Sequence, residues 1–120
     1  MRLHDHPRVL LVEDDLRLGY ELSDALEAAG AQVDGPYTTL SDAMSALAED
    51  FPDFALLDLN LGGQDSLLVA QDLERYGIAF AFYSGATDAG TQRKIDGAPF
   101  FHKPLDPAAL LVAIDDATRH

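Results

Sequence analysis

Short unbroken apolar runs alternate along the chain with longer stretches whose apolar positions recur at helical spacing. The first run, Val9-Leu10-Leu11-Val12, is continuous and rich in branched side chains, as in a strand buried on both faces. It ends at Glu13-Asp14-Asp15. Leu18, Leu22, Ala25, Leu26 and Ala29 then fall on one helical face, and Gly30 supplies a stop. Gln32 to Tyr37 reads as a weaker strand, left through Gly35-Pro36. Leu40, Ala43, Met44, Leu47 and Ala48 make the face of a second helix, capped by Thr39 or Ser41 and broken by Pro52. Phe54 to Leu57 is the third run, ending at Asp58. After a Gly62-Gly63 turn, Asp65 or Ser66 can cap a helix through about Tyr76, closed by Gly77.

Ile78 to Tyr83 is the fourth run and ends at Ser84-Gly85. Ala86 to Gly97 is the least periodic stretch, with a short helix expected near Thr91 to Ile95. Pro99-Phe100-Phe101 is the fifth run and leads into His102-Lys103-Pro104. Asp106 caps the last helix with Pro107 at its first position, and Leu110, Leu111 and Ile114 form the buried face. Five strands alternating with five helices predict an α/β fold built on a parallel sheet. Right-handed crossovers then place helices on both faces. The polar residues that stand out, Glu13, Asp14, Asp58, Ser84 and Lys103, all follow strands. In an open α/β sheet, ligands bind outside the carboxyl ends of the strands. The pattern therefore predicts one crevice holding these groups, provided that the third strand lies next to the first.

Composition narrows the function classes. At 120 residues and 48% hydrophobic, the chain is expected to be one domain over 1–120, with a core spanning about 8–118 and a flexible start over 1–7. Acidic side chains number 21 against 8 basic ones, a net charge of -13 that repels phosphate backbones and anionic membranes. Neither nucleic acid nor a membrane is therefore expected as a partner. The absence of cysteine excludes disulfides, thiolate metal sites and cysteine nucleophiles. No apolar run approaches the roughly 20 residues of a membrane span, and the charged start lacks a signal core, so the expected location is the cytoplasm. His4 and His6 could weakly chelate a metal, although a loose tail is the simpler reading.

The ordered set LVEDD, LLDLN, YSG and HKP, each at a strand end, resembles the receiver domain of bacterial two-component response regulators. The resemblance runs from Arg8 to about Ala117 and is of the stand-alone, single-domain kind. It implies a flavodoxin-like, doubly wound five-stranded parallel sheet in the order 2-1-3-4-5. It also implies roles. Asp58 matches the phosphoacceptor, and Glu13 and Asp14 match the acidic pair that supports Mg2+. Asn60 matches the position whose backbone carbonyl joins the metal. Ser84 matches the hydroxyl position, Lys103 the lysine and Phe100 the switch aromatic. The bond from that lysine to the next proline is usually cis in the family. The sequence departs from the family at Gly62, where proline is frequent, and in the short, weakly helical span between Ser84 and Lys103.

The residue chemistry agrees with these roles. Mg2+ prefers hard oxygen ligands and keeps several waters, which suits Asp14 and Asp58 as direct ligands and Glu13 acting through water. Asp15 reads instead as a helix cap. A nucleophilic Asp58 must be ionised despite its acidic neighbours, and a bound cation offsets that repulsion. Lys103 supplies a point charge, and Ser84 one donor. Gly85 leaves the approach open. The expected function is acceptance of a phosphoryl group on Asp58 from a histidine kinase or histidine phosphotransfer protein. Such a domain serves as a relay shuttle, a phosphate sink or a switch for a separate effector, and is a signalling phosphoacceptor rather than an enzyme. The switch expectation has Ser84 moving toward the phosphoryl group and Phe100 filling the vacated space. One rival is a protein-binding module that uses the same fold without phosphorylation. A phosphoaspartyl hydrolase is disfavoured because Asn60 stands where a second catalytic acid would be needed.

Overall fold

The computed structural model describes residues 2–61, 64–84, 99–103 and 105–118, with backbone alone at 60, 61, 64 and 65. In chain order its elements begin with β1 (Arg8–Val12), α1 (Leu16–Ala28), β2 (Gln32–Tyr37), α2 (Leu40–Glu49) and β3 (Phe54–Asp58). They continue with β4 (Asn60–Leu61), β5 (Gln64–Asp65), α3 (Leu67–Arg75), β6 (Ala79–Ser84), β7 (Phe100–His102) and α4 (Pro107–Thr118). The helix expected near Thr91 to Ile95, Gly62, Gly85 and Pro104 with its peptide bond all lie outside the described residues.

β2, β1, β3, β6 and β7 pair in that order, every neighbour parallel. With the small β4–β5 hairpin set aside, this is the expected 2-1-3-4-5 order of the doubly wound, flavodoxin-like sheet. The all-apolar run of β3 is explained by its place at the centre: all five of its residues are buried. Strand alternation divides the core into two layers. Leu10, Val12, Ala55, Leu57, Phe80 and Phe82 pack with α2 and α3 residues such as Ala43, Leu47, Val69 and Leu73. Val9, Leu11, Phe54, Leu56, Ala81 and Tyr83 pack on the other face with Leu22, Leu26, Leu110 and Ile114. Burying such a Leu or Phe fully contributes roughly 1.5–3 kcal/mol.

The caps follow the chemistry of their residues. Asp15 caps α1, its carboxylate accepting from the Arg17 and Leu18 amides. Thr39 caps α2, accepting from the Asp42 amide at 3.1 Å. Asp106 accepts from the Ala108 amide at 3.0 Å, and Pro107 opens α4. The α2 face differs in one position from the periodic reading: Ala46 is buried and Ala48 is exposed. Alanine is small enough to suit either side, so the helix orients on Ala43 and Leu47.

The start of the chain, expected to be loose, makes specific contacts instead. Leu3 is buried in the α1/α4 layer, and its amide donates to the Ala29 carbonyl at 2.7 Å. His6 Nδ1 lies 2.9 Å from the Gly30 carbonyl, and His4 Nδ1 lies 3.6 Å from the buried Asp115 carboxylate. The apolar side chain of Leu3 finds a slot beside the end of α1, a slot that exists only once the layer is assembled.

Candidate functional site

The site lies at the carboxyl ends of β1, β3 and β6. Glu13 follows β1, and its amide donates to the Tyr37 carbonyl at 2.9 Å, extending the β1–β2 ladder by one step. That step comes after a register slip at Gly35, whose φ is +123° and which packs on the Leu11 carbonyl too closely for any side chain. Gly19 of α1 completes the support: a Cβ there would lie 2.8 Å from the Pro36 ring. Sequence thus folds the edge strand and first helix tightly around the peptide that carries Glu13 and Asp14.

Glu13 is fully buried, and both its oxygens are engaged. Oε2 accepts from the Asp15 amide at 3.1 Å; Oε1 accepts from the Tyr83 hydroxyl at 2.8 Å and lies 3.3 Å from Lys103 Nζ. Asp58, the last residue of β3, is 3% exposed, and its Oδ2 accepts from Lys103 Nζ at 3.2 Å. Asp14 is exposed at the mouth. One carboxylate oxygen from each of Glu13, Asp14 and Asp58 lies within 4.8 Å of the others. Three anionic oxygen donors at that spacing suit a hard divalent cation such as Mg2+.

Burial works to raise the Glu13 carboxyl, but the hydrogen bonds it makes to Asp58, Asp15 and Tyr83, with the Lys103 charge, hold it below the usual range. Burial likewise works against the Lys103 ammonium, and the Asp58 and Glu13 charges outweigh it, so its pKa is raised. The Tyr83 phenol is pushed far up, by burial first and the Glu13 charge next. The site therefore holds an ionised Glu13, a firmly protonated Lys103 and a neutral Tyr83 phenol.

Ser84 ends β6, buried, and its carbonyl accepts from the Lys103 amide at 2.9 Å. Phe100 opposes Phe82 in the β6–β7 register and is half-buried against the α2/α3 layer. Phe101 packs on the other layer. Asn60 begins β4, which pairs antiparallel with β5 just beyond Asp58. His102 is exposed, its ring 5.2 Å from that of Phe100.

Two residues escaped the sequence reading. Tyr83 sits in an apolar strand and reads as core, yet its hydroxyl enters the acidic site and its ring lies 5.1 Å from Lys103 Nζ. A polar-tipped aromatic one residue before a strand end is the signal that could have found it. Ser66 reads as a helix cap, but its side chain makes no capping bond. Its hydroxyl donates instead to the Asp58 backbone carbonyl, and its amide donates to the Leu59 carbonyl at 3.3 Å.

No family model matches the chain. It is 30% identical over 122 residues to the phosphoglycerate transport system transcriptional regulatory protein PgtA of Salmonella typhimurium, covering 98% of this chain and 29% of the relative. The signal receiver domain of a modulated diguanylate cyclase from Desulfovibrio desulfuricans G20 superposes with a TM-score of 0.84 at 27% identity, covering 95% of this chain and 94% of that one. The PhyR response regulator REC domain of Erythrobacter litoralis, at 22% identity, shares the fold with a TM-score of 0.81 over 92% of this chain and 88% of that one. The chain belongs to the response-regulator receiver domains of two-component signalling. It spans 29% to 51% of the length of the curated relatives it matches. Among the described residues no helix is long and apolar enough to cross a membrane.

Proposed function

We propose that this receiver accepts a phosphoryl group on Asp58 from a histidine kinase or a histidine phosphotransfer protein. The observation that carries the reading is Lys103 bridging Asp58 and Glu13 at the mouth where three carboxylates converge. An Asp58 oxygen attacks phosphorus, a P–O bond forms, the P–N bond to the donor imidazole breaks, and the imidazole leaves with its electron pair. Lys103, already 3.2 Å from Oδ2, holds the carboxylate and neutralises charge gathering on the phosphoryl oxygens. Ser84 contributes a hydroxyl donor from the end of β6.

Asp14 and Asp58 would hold Mg2+ directly, Glu13 through water, and the Asn60 backbone carbonyl would complete the protein's share. The ion supplies charge neutralisation for the transferring group. After transfer, the added charge and acceptor oxygens draw Ser84 inward, and Phe100 takes up the space. The output passes to a separate effector, or the phosphoryl group moves on in a relay, in the cytoplasm where the donor resides. The domain is a signalling phosphoacceptor that assists its own phosphorylation and dephosphorylation.

The test is incubation with a small phosphodonor and Mg2+, followed by intact-mass measurement and mapping. One added phosphate, located at Asp58 and lost in Asp58→Asn, is expected. An unmodified mass in the wild type would replace this reading with that of a protein-binding module.

A further inference from the structure

The geometry points to Tyr83 as a positioning residue for the metal-supporting carboxylate Glu13, an inference that rests on the proposed cation site beside Asp58. Tyr83 is paired with Asp58 in the β3–β6 register, so its backbone lies level with the phosphoacceptor. Its carbonyl accepts from the Leu59 amide at 3.0 Å, directly after Asp58. Its side chain is fully buried on the α1/α4 face and reaches past β3 to Glu13 on the far side. β3 stands between β1 and β6, so this one side chain ties together the two strands that flank the phosphoacceptor.

The hydroxyl has a single proton to donate, and Glu13 Oε1 receives it at 2.8 Å. That bond fixes the rotamer of a carboxylate with no solvent exposure, and the Asp15 amide fixes its second oxygen. The same Oε1 and the Tyr83 ring face Lys103 Nζ, at 3.3 Å and 5.1 Å. Tyr83 thus sets where Glu13 points and where Lys103 rests before any cation or phosphoryl group arrives. Outer partners that orient a metal-supporting group commonly change metal affinity by about 10–100-fold when removed.

Tyr83→Phe keeps the ring, its packing and its face toward Lys103, and removes only the hydroxyl. Mg2+ affinity, measured by calorimetric titration of the whole chain, should weaken about 10-fold in this variant. In a Glu13→Gln background the same substitution should produce no further loss, because Tyr83 acts through Glu13. In the wild type, which needs no variant to fold, NMR signals of the Tyr83 ring should shift on Mg2+ addition while those of Tyr20, Tyr37 and Tyr76 stay in place. Equal losses in the two backgrounds, unchanged affinity, or a motionless Tyr83 signal with Mg2+ bound would overturn this inference alone. A wild type that takes up no Mg2+ would overturn it together with the proposed cation site.

Discussion

Both ends of the sheet carry a cation among carboxylates, and the two clusters behave as opposites. At the amino end of β1, the Arg8 guanidinium lies 3.1 Å from Asp34 and 3.4 Å from Asp50, while its amide donates to Asp53 at 2.8 Å. At the carboxyl end, Lys103 lies 3.2–3.3 Å from Asp58 and Glu13, with Asp14 adjoining. Each cluster sets more than one acid against a single cation, so both carry surplus negative charge. Burial separates them. The Asp34 and Asp50 side chains are 17% and 63% exposed, whereas Glu13 and Asp58 are 0% and 4%. Water screens the surplus negative charge around Arg8, leaving a clamp between β1, β2 and the end of α2. Around Lys103 the two buried carboxylates, Glu13 and Asp58, have no such relief, and the site is left with an appetite for a further positive charge.

Cutting the cation from each cluster should give the widest gap. Lys103→Ala leaves two buried carboxylates facing each other and should cost about 2–3 kcal/mol in metal-free buffer. Arg8→Ala should cost about 0.5–1 kcal/mol, fading with salt. Urea denaturation of both variants decides, and equal losses would erase the distinction. A smaller effect of opposite sign is expected on removing an acid. Asp58→Asn should raise metal-free stability by about 1 kcal/mol and blunt the stabilisation that Mg2+ provides, read as melting temperature with and without the ion. Asp34→Asn should yield neither change.

The smallest expected effect tests the solvated cluster itself. Tyr37 donates its hydroxyl proton to Asp34, and that hydrogen bond, then burial, push its phenol up to about 12. A phenol raised in the folded state favours the protonated form there. Its contribution is complete below the unfolded value near 10 and drains away as pH climbs through about 12. Tyr37→Phe should therefore lose stability relative to wild type at pH 9 and close the difference by pH ~12. A constant difference across that window would show that the bond to Asp34 does not govern the phenol.

Much of the architecture was legible because it is written in periodicity. The unbroken run at β3 announced a strand covered on both sides, and acids placed at the ends of separate runs announced a shared crevice. Glu13, Asp14, Asp58 and Lys103 do meet there. Features that depend on reach across the sheet stayed hidden. Tyr83 contacts Glu13, 70 positions away, and nothing local in an apolar strand marks its hydroxyl as part of the site. Ser66 resembles any serine before a helix, and its bond to the Asp58 carbonyl follows only from how the β4–β5 hairpin folds back. Leu3 belongs to no periodic segment, so its burial becomes visible only with α1 and α4 in place.

The slip at Gly35-Pro36 matters outside the domain as well. β2 is one outer rim of the sheet, and there an imide nitrogen and a kinked backbone replace the regular row of donors that a foreign strand would need. Among the described residues the opposite rim is β7, three residues long. Both of these borders of the sheet are therefore poor templates for a strand offered by a neighbouring copy.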